Sequence, residues 1–300
     1  MIPEINSLHI EPTNICTLKC SGCARTRFID QWPQHWQNHN LDVQDLSDFL
    51  DINIKGKKFL FGGNYGDPIY HPRFHDMISM IKGRGGIAHI VTNGSHRKSE
   101  WWVDLCDLLT EDDNVIFSID GTPENFHIYR ENGDWSSIKT AIDICTKSLT
   151  KTTWKYIPFR FNQNDIELAR ALSKEFGIDE FLVTPSDRFD EHTQHLMPDS
   201  DKLGRKLFFQ EEFKKGKALS VNPKCHRGSD HFITATGHYS PCCYLADHRF
   251  YYKTLFGKEK SLVDITTTTI TKLLSHPKIV EFYAQIPVKP IGGCQYNCPS

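Results

Sequence analysis

The run EPTNICTLKCSGCAR, beginning at Glu11, puts Cys16, Cys20 and Cys23 on a C-x3-C-x2-C spacing. Thiolates are soft donors, and three of them in one short polar loop point to metal chemistry more than to packing. A zinc site built on them needs a fourth ligand. His35 or His39 could supply it, though neither stands at a usual finger spacing. An iron-sulfur cube held by three thiolates instead leaves one iron without a protein ligand, open to a substrate or cofactor that carries an amine and a carboxylate. A second group, Cys225, Cys242, Cys243, Cys294 and Cys298, gathers at the other end of the chain. Cys106 and Cys145 fall on apolar helical faces and read as core residues.

Six short β-branched and aromatic runs can position these groups: 8–12, 57–61, 87–93, 114–120, 154–161 and 180–185. Between them lie segments of helical apolar spacing, at 41–51, 72–83, 99–111, 135–149 and 164–177. Strand then helix, repeated, implies parallel crossovers in an α/β fold, either a doubly wound sheet or a barrel-like arrangement. In both, chemistry collects in the loops at the carboxyl ends of the strands, and the cysteine trio directly follows the first strand. After residue 185 the pattern changes to a polar stretch, a basic helix-like segment KLGRKLFFQEEFKKGK, and a region with few helical signals until about residue 262.

Composition narrows the function classes. The 35 Lys+Arg balance 37 Asp+Glu, so no global field favours nucleic acid or an anionic membrane. No apolar run reaches the roughly 18 residues of a membrane span. MIPEINSLHI lacks a basic start and an apolar core, so a cytoplasmic location is expected. In a reducing compartment the ten cysteines serve metal or redox roles rather than a disulfide framework.

The trio, in its place after the first strand, resembles the signature of the radical S-adenosylmethionine (radical SAM) superfamily. The resemblance implies a partial (β/α)6 TIM-like barrel, with the three thiolates binding a [4Fe-4S] cluster whose fourth iron chelates SAM. One electron then cleaves the sulfonium, and the 5'-deoxyadenosyl radical takes a hydrogen from substrate. FGGNYGDP, after the second strand, is similar to the family's glycine-rich GGE segment, where Gly62 and Gly63 permit close backbone approach and Asp67 stands in place of the usual Glu. VTNGS, with Thr92 and Asn93, FSIDG, with Ser118 and Asp120, and the downstream Arg130 of HIYR resemble further segments that bind SAM. By this likeness Ser118 and Asp120 bond its ribose or amino-acid part, and Arg130 pairs with its carboxylate.

Cys225, Gly237 and Cys242, spaced C-x11-G-x4-C, resemble the opening of the SPASM and twitch extensions, in which a hairpin carries two ligands of an auxiliary cluster. Cys294 and Cys298 complete four thiolates, and the cysteine count fits the shorter, one-cluster twitch form. Cys243 competes with Cys242, and zinc competes with iron for such a site. The expected organisation is a radical SAM partial barrel over 1–190, a linker over 191–217, and a smaller twitch-type domain over 218–300. The expected enzyme modifies a peptide or small-metabolite substrate, with a reductant such as flavodoxin or ferredoxin as electron donor. Arg160, Asn162, Arg188, His192, His226, Arg227 and His231 are candidate substrate contacts. A basic run (Lys202, Arg205, Lys206, Lys214, Lys215, Lys217), interleaved with Glu211 and Glu212, reads as a solvated face. Radical modification of a nucleotide or RNA, and a non-enzymatic zinc or iron-sulfur module, are the alternatives.

Overall fold

The computed structural model describes residues 4–189, 191–200, 202–206, 221–288, 290, 294 and 298. All six expected strands form: β1 (Ser7–Ile10), β2 (Lys58–Phe61), β3 (Ile87–Thr92), β4 (Asn114–Ser118), β5 (Lys151–Tyr156) and β6 (Glu180–Val183). They alternate with α1 (Ala24–Gln31), α2 (Val43–Phe49), α3 (Phe74–Gly83), α4 (Ser99–Cys106), α5 (Trp135–Cys145) and α6 (Ile166–Glu175). Local chemistry sets several helix starts. Asp42 accepts from the Gln44 and Asp45 N–H groups to open α2, and Asp134 does the same for α5 through Ser136 and Ser137.

β1 to β6 lie side by side in sequence order, every pair parallel. A doubly wound sheet reverses its order at a switch point; this sheet does not, so the barrel-like alternative holds. β6 and the far edge do not pair, and the barrel is open. Alternation along β1, β3 and β4 buries every second residue under the helices, among them Leu8, Ile10, Ile90, Val115 and Phe117. The residues between them, His9, Val91 and Ser118, turn to the barrel interior and are only half-buried.

The C-terminal region continues the same sheet. β7 (Ser186–Phe189) and β8 (Gly204–Lys206) form a separate parallel pair, so the first part of KLGRKLFF is extended rather than helical. β9 (His231–Ile233) pairs in parallel with β1, and β10 (Tyr239–Ser240) returns antiparallel to β9. Gly237 makes that turn at φ 73°, a left-handed conformation that suits glycine. Short helices follow: α7 (Cys243–Ala246), α8 (His248–Tyr251), α9 (Leu255–Lys258), α10 (Ile270–Ser275) and α11 (Pro277–Gln285). Of the basic run, positions 207–220 lie outside the described residues. Among the described residues, no helix is long and apolar enough to cross a membrane.

Candidate functional site

The loop that leaves β1 carries the cysteine trio and is braced at several points. Asn14 donates to the Gln37 carbonyl at 2.8 Å and accepts from the His39 N–H at 2.7 Å, while the Asp67 N–H donates to the Ile15 carbonyl at 3.0 Å. Cys23 is the N-cap residue of α1. Cys16, Cys20 and Cys23 are free thiols, and all three line one cavity of about 280 Å³ at the carboxyl end of the sheet. Gly62, Gly63, Asp67, Thr92, Asn93, Ser118, Asp120 and Arg130, drawn from the loops after β2, β3 and β4, line the same cavity. Parallel strands bring these loops to one rim, although their residues span more than a hundred positions.

Electrostatics around the sulfurs are asymmetric. Asn93 Nδ2 donates toward Cys16 Sγ at 3.7 Å, and an Arg130 guanidinium nitrogen lies 4.0 Å from Cys20 Sγ. Burial, aided by nearby Asp67, pushes the Cys16 thiol up to about 12. Burial also pushes Cys20 up to about 11, against the opposing pull of Arg130. Cys16 and Cys20 therefore favour the thiol form, and metal binding must displace those protons.

The two carboxylates of the cavity are already engaged. Asp67 accepts from the Ile69 N–H at 3.2 Å, Thr92 Oγ1 at 2.9 Å, and both the backbone N–H and the side-chain amide of Asn93 at 2.6 Å. It joins the loops after β2 and β3 instead of reaching outward. Burial raises it to about 6, opposed by those hydrogen bonds. Asp120 grips Arg130 through Nε at 2.7 Å and Nη2 at 2.6 Å, and takes the Ile157 N–H at 2.9 Å. Arg130, expected to face a ligand carboxylate, is thus held by the protein's own acid.

The glycines divide their labour. A methyl on Gly66 would lie 2.6 Å from the Thr13 carbonyl carbon and 2.7 Å from Asn14 Cα, so this glycine lets the loop pack on the base of the cysteine loop. On Gly63 it would press on Glu11 Cγ at 2.6 Å. Gly62 meets nothing closer than Val91 Cβ at 3.4 Å and leaves its bare face to the cavity. Sequence reasoning missed His9 and Lys155, which also line the cavity; alternation opposite Leu8 and Trp154 was the signal. Burial, then the Lys155 charge, lowers His9 to about 4 and keeps it neutral.

The second thiol group is also assembled. Cys225, Cys242, Cys294 and Cys298 line one small cavity, whereas Cys243, the next residue, lines the cavity of the first trio. Among the described residues, no three His, Cys, Asp or Glu side chains stand close enough to hold a single metal ion. His35 and His39 line a different cavity from the trio, so neither closes a zinc site on it.

The candidate substrate contacts lie elsewhere. Arg160 is exposed beside Asp199; Asn162 is buried, accepting from the Phe159 N–H at 2.6 Å and donating to the Ile157 carbonyl. His192 is exposed against Glu191, and Arg227 offers its carbonyl to Asn6. His226 packs edge-on against Tyr283, and His231 is buried on the Tyr239 hydroxyl at 2.5 Å. The Arg188 side chain lies outside the described residues.

The sequence profile of the radical SAM superfamily matches residues 10–174, more than half of the chain. The chain belongs to that superfamily. This radical SAM protein is 29% identical over 202 residues to the tungsten-containing aldehyde ferredoxin oxidoreductase cofactor-modifying protein of Pyrococcus furiosus, a match covering 59% of the chain and 50% of the relative. The chain thus spans about half the length of that curated relative. In fold it resembles SuiB of Streptococcus suis. The form bound to precursor peptide SuiA superposes with TM-score 0.63 at 11% identity, covering 93% of this chain and 66% of SuiB. The form bound to SAM superposes with TM-score 0.59 at 11% identity, covering 86% and 65%. Membership implies SAM and a [4Fe-4S] cluster, and the donor set fits: the trio of thiols shares one cavity, where Cys243 from the C-terminal region also stands, and its two carboxylates are engaged by protein donors.

Proposed function

We propose that this radical SAM enzyme reductively cleaves SAM and removes a hydrogen atom from a peptide or small metabolite. One observation carries the reading: the trio and every residue matched to the family's SAM-binding segments line a single cavity. When bound there, the reduced cluster supplies the electron that breaks the sulfonium and frees the 5'-deoxyadenosyl radical.

The chain's residues do the rest. Cys16, Cys20 and Cys23 would hold the cluster at three corners. Arg130 keeps a positive charge beside Cys20 and Asn93 an N–H beside Cys16, both favouring extra electron density on the sulfurs. Gly62 presents bare backbone for close approach of the SAM amino group, while Ser118 and Thr92 offer hydroxyls to its polar parts. Asp67 acts at one remove by fixing Thr92 and Asn93. Neutral His9 and cationic Lys155 form the floor toward substrate.

Residues 218–300 serve as an auxiliary-cluster module of twitch type, with Cys225, Cys242, Cys294 and Cys298 as ligands. Four thiols lining one cavity suit a cluster, whose ligands bind different irons. The module oxidises or anchors the substrate, and a flavodoxin or ferredoxin feeds the electrons. The Pyrococcus relative, described as modifying a cofactor, and SuiB, captured with SAM and with a peptide, support a modifying role. Replacing Cys16, Cys20 or Cys23 by Ala should abolish SAM cleavage, whereas Cys294→Ala should spare the first cluster and impair substrate turnover. Failure of dithionite-reduced wild type, loaded with both clusters, to cleave SAM with or without substrate would overturn the proposal.

A further inference from the structure

Beside the thiol cavity lies a larger one, of about 440 Å³, in the size range of small-molecule sites, about 300–1,000 Å³. Tyr65 alone is common to both linings. The wall is aromatic and comes from three distant segments: Phe28 and Trp36 near α1, Tyr65 after β2, and His248, Tyr251 and Tyr252 in and after α8. The rings hold one another, Phe28 tilted on Trp36 at 5.8 Å, and Trp36 to Tyr65 at 5.9 Å and Phe28 to His248 at 5.4 Å edge to face. Tyr65 is further fixed. Its N–H donates to buried Glu11 at 2.8 Å, and its hydroxyl accepts from the His248 N–H at 2.9 Å.

Such walls offer apolar contact without having to order themselves on binding. Their polar complement is uncharged or basic: His35, His39 and His238 line the cavity, and Lys260 stands at 5.9 Å over the Tyr252 ring. The one acid in the lining, Glu11, has its oxygens turned to the Tyr65 and Ala235 N–H groups, so no acid is presented to a cationic guest.

We infer that this cavity binds a flat aromatic or heteroaromatic ring, neutral or anionic, carried by the substrate, with the attached portion passing Tyr65 into the thiol cavity. This rests on the radical reading of that cavity. The ring's source, an aromatic side chain of a peptide or a small heterocycle, is separated by the probes.

Equilibrium dialysis would use N-acetyltryptophanamide and lumazine as probes, with wild type and a Cys16→Ala/Cys20→Ala/Cys23→Ala variant that lacks the first cluster. One or both probes should bind each protein one-to-one. Indole binding alone assigns a peptide ring, lumazine alone a heterocycle, and both a site selective for ring shape. Trp36→Ala and the exposed Tyr252→Ala, each melting like wild type, should weaken binding about 10-fold, the loss of roughly one aromatic contact with its buried area. In reduced holoenzyme the paramagnetic cluster should broaden the probe's proton resonances. No saturable binding at millimolar probe, binding indifferent to both substitutions, or unbroadened resonances would each overturn the inference. Because ring binding is also read in protein without the first cluster, it stands or falls separately from SAM cleavage.

Discussion

Gly66 is where the two halves of the proposed SAM site touch, and Gly66→Ala tests that contact. The added methyl would sit 2.6 Å from the Thr13 carbonyl carbon and 2.7 Å from Asn14 Cα, against a comfortable carbon separation of about 3.5–4.0 Å. The Thr13 carbonyl oxygen would lie closer still, so one backbone must retreat by more than about 1 Å, and neither can rotate aside as a side chain would. The Asn14 bonds to Gln37 and His39, and the Asp67 bond to Ile15, resist that retreat. Overpacking of this kind costs about 3 kcal/mol, the upper end of its usual range, and at this chain length lowers Tm by about 5 °C. Gly62→Ala is the control. Its methyl meets only ordinary contacts at 3.4 Å and beyond, so it should melt within about 2 °C of wild type, the range of a neutral substitution, while weakening SAM binding from the cavity wall. Circular-dichroism melts of the cluster-free proteins and equilibrium dialysis of SAM on the reconstituted ones give the two readouts. A Gly66→Ala protein that melts like wild type, or a Gly62→Ala protein that melts as low as it, would refute the packing argument.

Asp120→Asn leaves Arg130 buried beside a neutral partner and should cost about 3–5 kcal/mol, read as a fall in urea midpoint with little change in slope. Glu11 is raised from 4.5 to about 7, first by burial, with the hydrogen bonds from Tyr65 and Ala235 opposing. Its folded form therefore holds the proton more tightly than the unfolded chain, so its stabilisation is full below pH 4.5 and fades as pH rises through 7. The loss is at most about 3 kcal/mol. Urea unfolding at pH 5 and pH 8 should show this slope in wild type and not in Glu11→Gln; parallel profiles would refute it. Cys242→Ser should lower the iron count of reconstituted protein from about eight to about four per chain, while Cys243→Ser should leave it near eight. The reverse result would exchange the two residues' roles.

Much of this arrangement was readable in the order of residues. The six strands announced themselves through β-branched and aromatic runs, and the trio's spacing and company marked its cavity. Boundaries drifted where local signals conflicted: β5 begins at Lys151 on polar Thr152 and Thr153, and ends at Tyr156 because Pro158 follows. α1, immediately after Cys23, escaped notice because ARTRFIDQ is largely polar and its N-cap makes no side-chain bond. Position in sequence could not show that Asp67 and Arg130 are occupied by protein partners, since both engagements are made across the fold. Nor could it show that consecutive cysteines, Cys242 and Cys243, line different cavities.

The pairing of β9 with β1 joins Leu8 to His231 and Ile10 to Ile233. A ladder spanning so much intervening chain closes late in folding, because the loop entropy must be met before the contact forms. Until then the strand bearing His9 presents an open edge, the kind that recruits strands from other molecules. A nascent chain halted before β9 should therefore aggregate rather than wait as a soluble barrel. Once complete, the protein should survive a single cut between β8 and β9 as one particle, its two pieces held by the shared sheet.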